Sequence, residues 1–141
     1  MPQYAAKRVL PATVDDVWAV LAEPDRFAEW WPGIGAVEPT VRRALAPGAL
    51  WRIEGGGSSR VSFRRRPEMG GKLLVIDVVP GSRVAFQLLT AGIDVELGLA
   101  PHADGTEVTL TIEAPRFGGV RRDFPSQALS RLAALVRPES D

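Results

Sequence analysis

In Thr106-Glu107-Val108-Thr109-Leu110-Thr111-Ile112-Glu113 polar and apolar side chains alternate from Glu107 onward. A strand turns successive side chains to opposite faces, so Val108, Leu110 and Ile112 form a dry face and Glu107, Thr109 and Thr111 a wet one. Val84, Phe86 and Leu88, set against Arg83, Ala85 and Gln87, repeat the pattern. Strands with a single buried side belong to antiparallel sheets. Turn residues recur about every ten positions around these two stretches, as in a meander. They are Pro47-Gly48, Gly55-Gly56-Gly57, Gly70-Gly71, Pro80-Gly81, Ala91-Gly92 and Asp104-Gly105. The segments between them predict strands over 37–43, 49–54, 60–66, 72–79, 83–90, 93–100 and 106–113.

Outside this region the spacing is helical. Residues 3–10 read as a first strand, which Pro11 stops because proline donates nothing to a ladder. Thr13 is a candidate N-cap with Asp16 three residues on, and Val14, Val17, Trp18 and Leu21 draw one apolar stripe. Pro24 suits the first turn of a second short helix carrying Phe27, Trp30 and Trp31, which Pro32-Gly33 ends. Because Trp30 and Trp31 are consecutive they cannot share a helix face, so one is expected at a cavity mouth or in solvent. At the other end Asp123-Phe124-Pro125 opens a longer helix with Ala128, Leu129, Leu132, Leu135 and Val136 on its apolar side, until Pro138. The order is therefore strand, two short helices, six or seven strands, long helix. This is an α+β class: a curved antiparallel sheet wrapped around a long C-terminal helix, with the two short helices closing one end. At 141 residues, one domain over 1–141 is expected.

Composition narrows the chemistry. Lys plus Arg equals Asp plus Glu, 17 each, which argues against nucleic acid or an anionic membrane surface as partner. There is no cysteine, so disulfides, thiolate metal sites and a Cys nucleophile are excluded together. With a single His no metal set can be assembled, and no cofactor is expected. No membrane span or secretory signal is visible, so a cytoplasmic location is expected. Of the 17 cations only Lys7 and Lys72 are lysine, a bias that suggests a GC-rich bacterial genome.

The segment Val9-Leu10-Pro11-Ala12-Thr13-Val14-Asp15-Asp16-Val17-Trp18, followed by Phe27-Ala28-Glu29-Trp30-Trp31-Pro32, resembles the opening of the polyketide cyclase and START-like superfamily. Pro47-Gly48, the strand ending at Val79-Pro80, the hairpin from Leu99-Ala100-Pro101 to Gly105-Thr106-Glu107-Val108-Thr109, and Ala128-Leu129-Ser130-Arg131-Leu132 follow in that superfamily's order. The resemblance implies a helix-grip fold with a cavity for a hydrophobic ligand between helix and sheet. It also implies several function classes, from aromatase/cyclases to lipid transfer and chaperone activation. The stretch from Gly55 to Gly71, rich in Gly and Arg, departs from the usual strand pattern.

Four Trp beside one Tyr is the most suggestive local feature, since an indole both fills a core and stacks on a flat ligand. Trp18 reads as core, and Trp51, alternating with Ile53, as inward-facing. Arg65 shares a side with Val61 and Phe63, where it is either a clamp for a carboxylate or enolate oxygen or, with Arg64 and Arg66, part of a solvated edge. Asp77, the only charge within 73–79, is either outward on the convex face or a buried acid suited to proton transfer. Asp94 and Glu96 read as a wet face, and His102 as an exposed turn residue. Gly55-Gly56-Gly57 lacks the context of a phosphate loop, and Ser58 and Ser59 lack a nucleophile elbow.

The leading expectation is a binder of a small apolar or aromatic molecule, polyketide-like or lipid-like, acting as monomer or homodimer. Its expected wall is Trp30, Trp51, Phe63, Phe86, Leu97, Phe117, Phe124 and Leu132, with Arg65 and Gln127 as polar handles. The rival is a polyketide cyclase or dehydratase acting by confinement, assisted by Arg65 or Asp77. A third reading is an interaction module resembling the chaperone activators.

Overall fold

The alternating stretches pair with one another in sequence order. The computed structural model describes residues 3–31, 34–41, 44–55, 71–89, 92–114 and 122–136. Within these, the strands are β1 (Gln3–Leu10), β2 (Ile34–Pro39), β3 (Leu50–Gly55), β4 (Gly71–Val79), β5 (Arg83–Leu88), β6 (Ile93–His102) and β7 (Gly105–Glu113). They form one antiparallel sheet of order β1-β7-β6-β5-β4-β3-β2. Each strand from β2 to β7 pairs with its chain neighbour, and β1 closes the far side against β7, from Gln3↔Glu113 to Leu10↔Thr106. The helices are α1 (Val14–Leu21), α2 (Pro24–Trp30) and α3 (Phe124–Val136). This is the α+β, helix-grip architecture that the sequence predicts.

Local signals set most boundaries. Thr13 caps α1 by accepting from the Asp16 amide at 3.1 Å, and Pro24 occupies the first turn of α2. Between β4 and β5, Pro80-Gly81 makes a turn in which the Ser82 amide donates to the Val79 carbonyl at 2.9 Å. Gly81 there has φ +74°, as the third position of a type II turn requires. β6 runs past the expected 93–100 because Pro101 and His102 still pair with Thr106 and Gly105. Pro101 is tolerated because β5 ends its pairing at Gly98, which frees that edge of β6. The strand expected over 37–43 begins earlier, at Ile34, and ends at Pro39. The one expected over 60–66 lies outside the described residues.

Gly105 is required by contact as well as conformation. Its φ is +143°, and a Cβ there would lie 1.9 Å from the Leu10 carbonyl oxygen. Beside it, fully buried Thr106 donates its hydroxyl to the Ala12 carbonyl at 2.7 Å. These two residues bind the β6–β7 hairpin to the corner between β1 and α1.

Among the described residues the concave face of the sheet is mostly apolar: Leu73 and Val75, Val84, Phe86 and Leu88, Ile93, Val95, Leu97 and Leu99, Val108, Leu110 and Ile112 are all buried. α3 turns Phe124, Ala128, Leu129, Leu132, Ala133 and Val136 inward and lies against β1, β7 and α2. No described helix is long and apolar enough to cross a membrane.

Candidate ligand cavity

An aromatic cluster is built on α2. Phe27 and Trp30, three apart, meet edge to face at 5.1 Å between ring centroids, and Phe27 and Trp31, four apart, stack at 5.5 Å. From the sheet, Trp51 lies 6.5 Å and Phe86 5.7 Å from Phe27, both edge-on. Phe124 of α3 joins through Trp31, at 5.1 Å.

Of the adjacent tryptophans, one of which is expected at a cavity mouth or in solvent, neither reaches solvent, since both are 1% exposed, and Trp30 lines the apolar cavity beneath α2. The helix ends between them. Trp31 is the C-cap residue, with extended φ −93° and ψ 112°, so its side-chain direction no longer follows the helical step from Trp30. Two neighbouring indoles can therefore both enter the core. Each brings a cost, because Nε1 of Trp30 and Nε1 of Trp31 are buried without an acceptor among the described residues.

Beside this cluster is a small, partly enclosed apolar cavity. Its roof is Leu21 of α1, Phe27 and Trp30 of α2, and Leu45; its floor is Trp51, Leu73, Val84, Phe86 and Leu97 from β3 to β6. The part wide enough for water amounts to about one molecule. Four expected wall residues, Trp30, Trp51, Phe86 and Leu97, meet here. Phe124 and Leu132 are buried in the α3 half of the core, and Gln127 is exposed on α3 rather than offered to the interior as a polar handle. The described lining contains no residue of α3, so this space lies between α1–α2 and the sheet, and not between the C-terminal helix and the sheet as expected. Phe63, Arg65 and Phe117 lie outside the described residues, as do Arg64, Arg66, Ser58 and Ser59.

Of the wall residues missed from sequence, Leu73 and Val84 carry the same inward alternation as Phe86, and Leu21 and Phe27 lie on helical stripes. Leu45 carries no periodic signal at all.

Asp77 sits on the outer face because β4 is bulged. Val75 pairs with Phe86 but Asp77 with Ala85, so one extra residue, Ile76, shifts the alternation by one. Asp77 would otherwise follow Leu73 and Val75 inward. Instead it accepts from Arg83 Nη1 at 2.8 Å, while Arg83 Nε donates to Glu96 at 2.6 Å. These bonds, that to Glu96 first, raise the Arg83 pKa above its already high ordinary value. Gln87 donates to Asp94 at 2.7 Å on the same face, beside a larger open trough with polar walls. Two acids of that trough, Asp94 and Glu96, are thus engaged already. His102 is exposed in the β6–β7 hairpin, where its Nδ1 accepts from the Asp104 amide at 3.0 Å. Among the described residues no cluster of His, Cys, Asp and Glu could hold a metal ion.

The family model for polyketide cyclase/dehydrase and lipid transport proteins matches residues 1–137, and the chain belongs to that family. Solved structures of the same fold include protein CV1439 from Chromobacterium violaceum, 22% identical with TM-score 0.72, the match covering 99% of this chain and 100% of that one. Protein NE0264 from Nitrosomonas europaea is 18% identical with TM-score 0.69, covering 96% and 94%. DynU16, from the dynemicin biosynthetic locus, is 22% identical with TM-score 0.65, the match covering 95% of this chain but 46% of DynU16. No curated protein matches.

Proposed function

We propose that this protein binds a small, largely apolar, ring-bearing molecule in the cavity beneath α2. The observation that carries the reading is the convergence of Trp30, Trp51, Phe27 and Phe86 with Leu97 around one apolar space. Membership of a family of cyclases, dehydrases and lipid transport proteins supports it. As it stands the cavity has room for about one water molecule, far below the ~300–1,000 Å³ of ordinary ligand sites, so any ring enters only as the ring side chains part.

Tryptophan fluorescence of the purified protein, titrated with a set of polyketides, flavonoids and fatty acids, tests this. Saturable quenching by at least one class is expected. Leu97→Phe, which fills the cavity, should weaken that binding at least about tenfold while the fold persists. If no member of the set binds the folded protein, the reading is wrong.

A catalytic form of the same reading, in which confinement steers ring closure or dehydration of a polyketide chain, draws on the family's description. Among the described residues no acid or base lines the cavity, and Asp77 lies on the opposite face, so this form rests on Arg65.

A further inference from the structure

An indole nitrogen donates one hydrogen bond and accepts none. Trp30 Nε1 is buried with no acceptor among the described residues, and the ring that carries it is a wall of the cavity. A buried donor left unpaired is destabilising, and native structures keep such groups for an identifiable reason. Apart from indole, the described cavity walls carry only hydrocarbon side chains: Leu21, Phe27, Leu73, Phe86 and Leu97 among them. Trp30 thus carries an unpaired hydrogen-bond donor on a ring of this wall.

Building on the ligand reading above, we propose that the Trp30 Nε1–H donates to a neutral oxygen of the ligand, a ring-conjugated carbonyl or ether. It thereby selects such molecules over hydrocarbons of the same shape. A carboxylate fits poorly, because no cation lines the cavity among the described residues and a buried, unpaired anion loses its hydration. An ammonium group offers no lone pair to accept the bond. The competing occupant is a single trapped water, for which the cavity has about enough room.

The test uses two molecules of nearly equal shape, acetophenone and α-methylstyrene, which differ in C=O against C=CH₂. In the proton–nitrogen correlation spectrum of labelled protein, the four Trp residues provide four indole signals. Acetophenone should move the Trp30 indole proton downfield and leave that of Trp18, outside the described lining, in place. It should also bind about tenfold more tightly than α-methylstyrene, the ratio expected of one net hydrogen bond. In Trp30→Phe, which keeps a ring but removes the donor, that ratio should fall to about one. The ratio and the shift in the unmodified protein, assigned through the backbone, decide the matter even if the variant does not fold. Equal binding of the two molecules with no downfield movement overturns the proposal and leaves the ligand reading intact. If neither molecule binds, this proposal falls, and the ligand reading is decided by the titration with polyketides, flavonoids and fatty acids.

Discussion

The two halves of the concave side are filled in different ways. Under α3, the core is mostly aliphatic: Ala128, Leu129, Leu132, Ala133 and Val136 lie over β1 and β7, with Leu110 and Ile112 fully buried on the sheet. Under α2 it is mostly aromatic, with Phe27, Trp30, Trp31, Trp51 and Phe86 in mutual edge and stacked contacts. Branched aliphatic chains interdigitate and carry no polar atom that needs a partner. Indoles are rigid plates that leave gaps between them and bring donors into the core. The cavity and both unpaired donors are accordingly in the aromatic half. One half is closely filled by aliphatic side chains, and the other holds the cavity and the unpaired donors.

This division makes separable predictions. The largest effect is expected from Leu132→Ala, which removes a fully buried side chain from the aliphatic half and should lower stability by about 2–5 kcal/mol in denaturant titration. Ligand affinity of the folded fraction should be unchanged. A parallel loss of affinity would mean that the halves are not independent. Phe27→Leu in the aromatic half should cost less, about 1–1.5 kcal/mol, because it replaces one large apolar side chain by another. It should at the same time tighten binding of ring compounds by enlarging the cavity between α2 and the sheet. Calorimetric titration of both variants with one ligand reads the contrast directly.

Much of this was legible in the sequence. Alternation identifies Phe86, Leu97 and Trp51 as inward, and helical spacing identifies Phe27 and Leu132, because both periods report which side of an element is dry. Periodicity does not say which element covers that side. Hence Phe124 and Leu132 are rightly expected to be buried but lie away from the cavity, and Leu45, in an irregular segment, escapes notice. Trp31 shows a second limit, since its extended backbone at the end of α2 cancels the helical geometry by which two consecutive tryptophans cannot share a side.

The smallest effect is predicted for Asp77, whose position turns on the bulge in β4. Strict alternation from Leu73 and Val75 would place its carboxylate inside the barrel of side chains, within reach of a bound molecule. The extra residue at Ile76 sends it to the outer face, half-exposed and paired with Arg83. An exposed ion pair contributes little to stability, and the Glu96 partner of Arg83 remains when Asp77 is changed. Asp77→Asn should therefore shift the unfolding midpoint by no more than a few degrees, and should leave ligand affinity and any cyclase or dehydratase turnover unchanged. A loss of turnover of a hundredfold or more with unchanged stability would place the carboxylate at the reacting atoms, and the separation between a wet outer face and a functional aromatic interior would be broken.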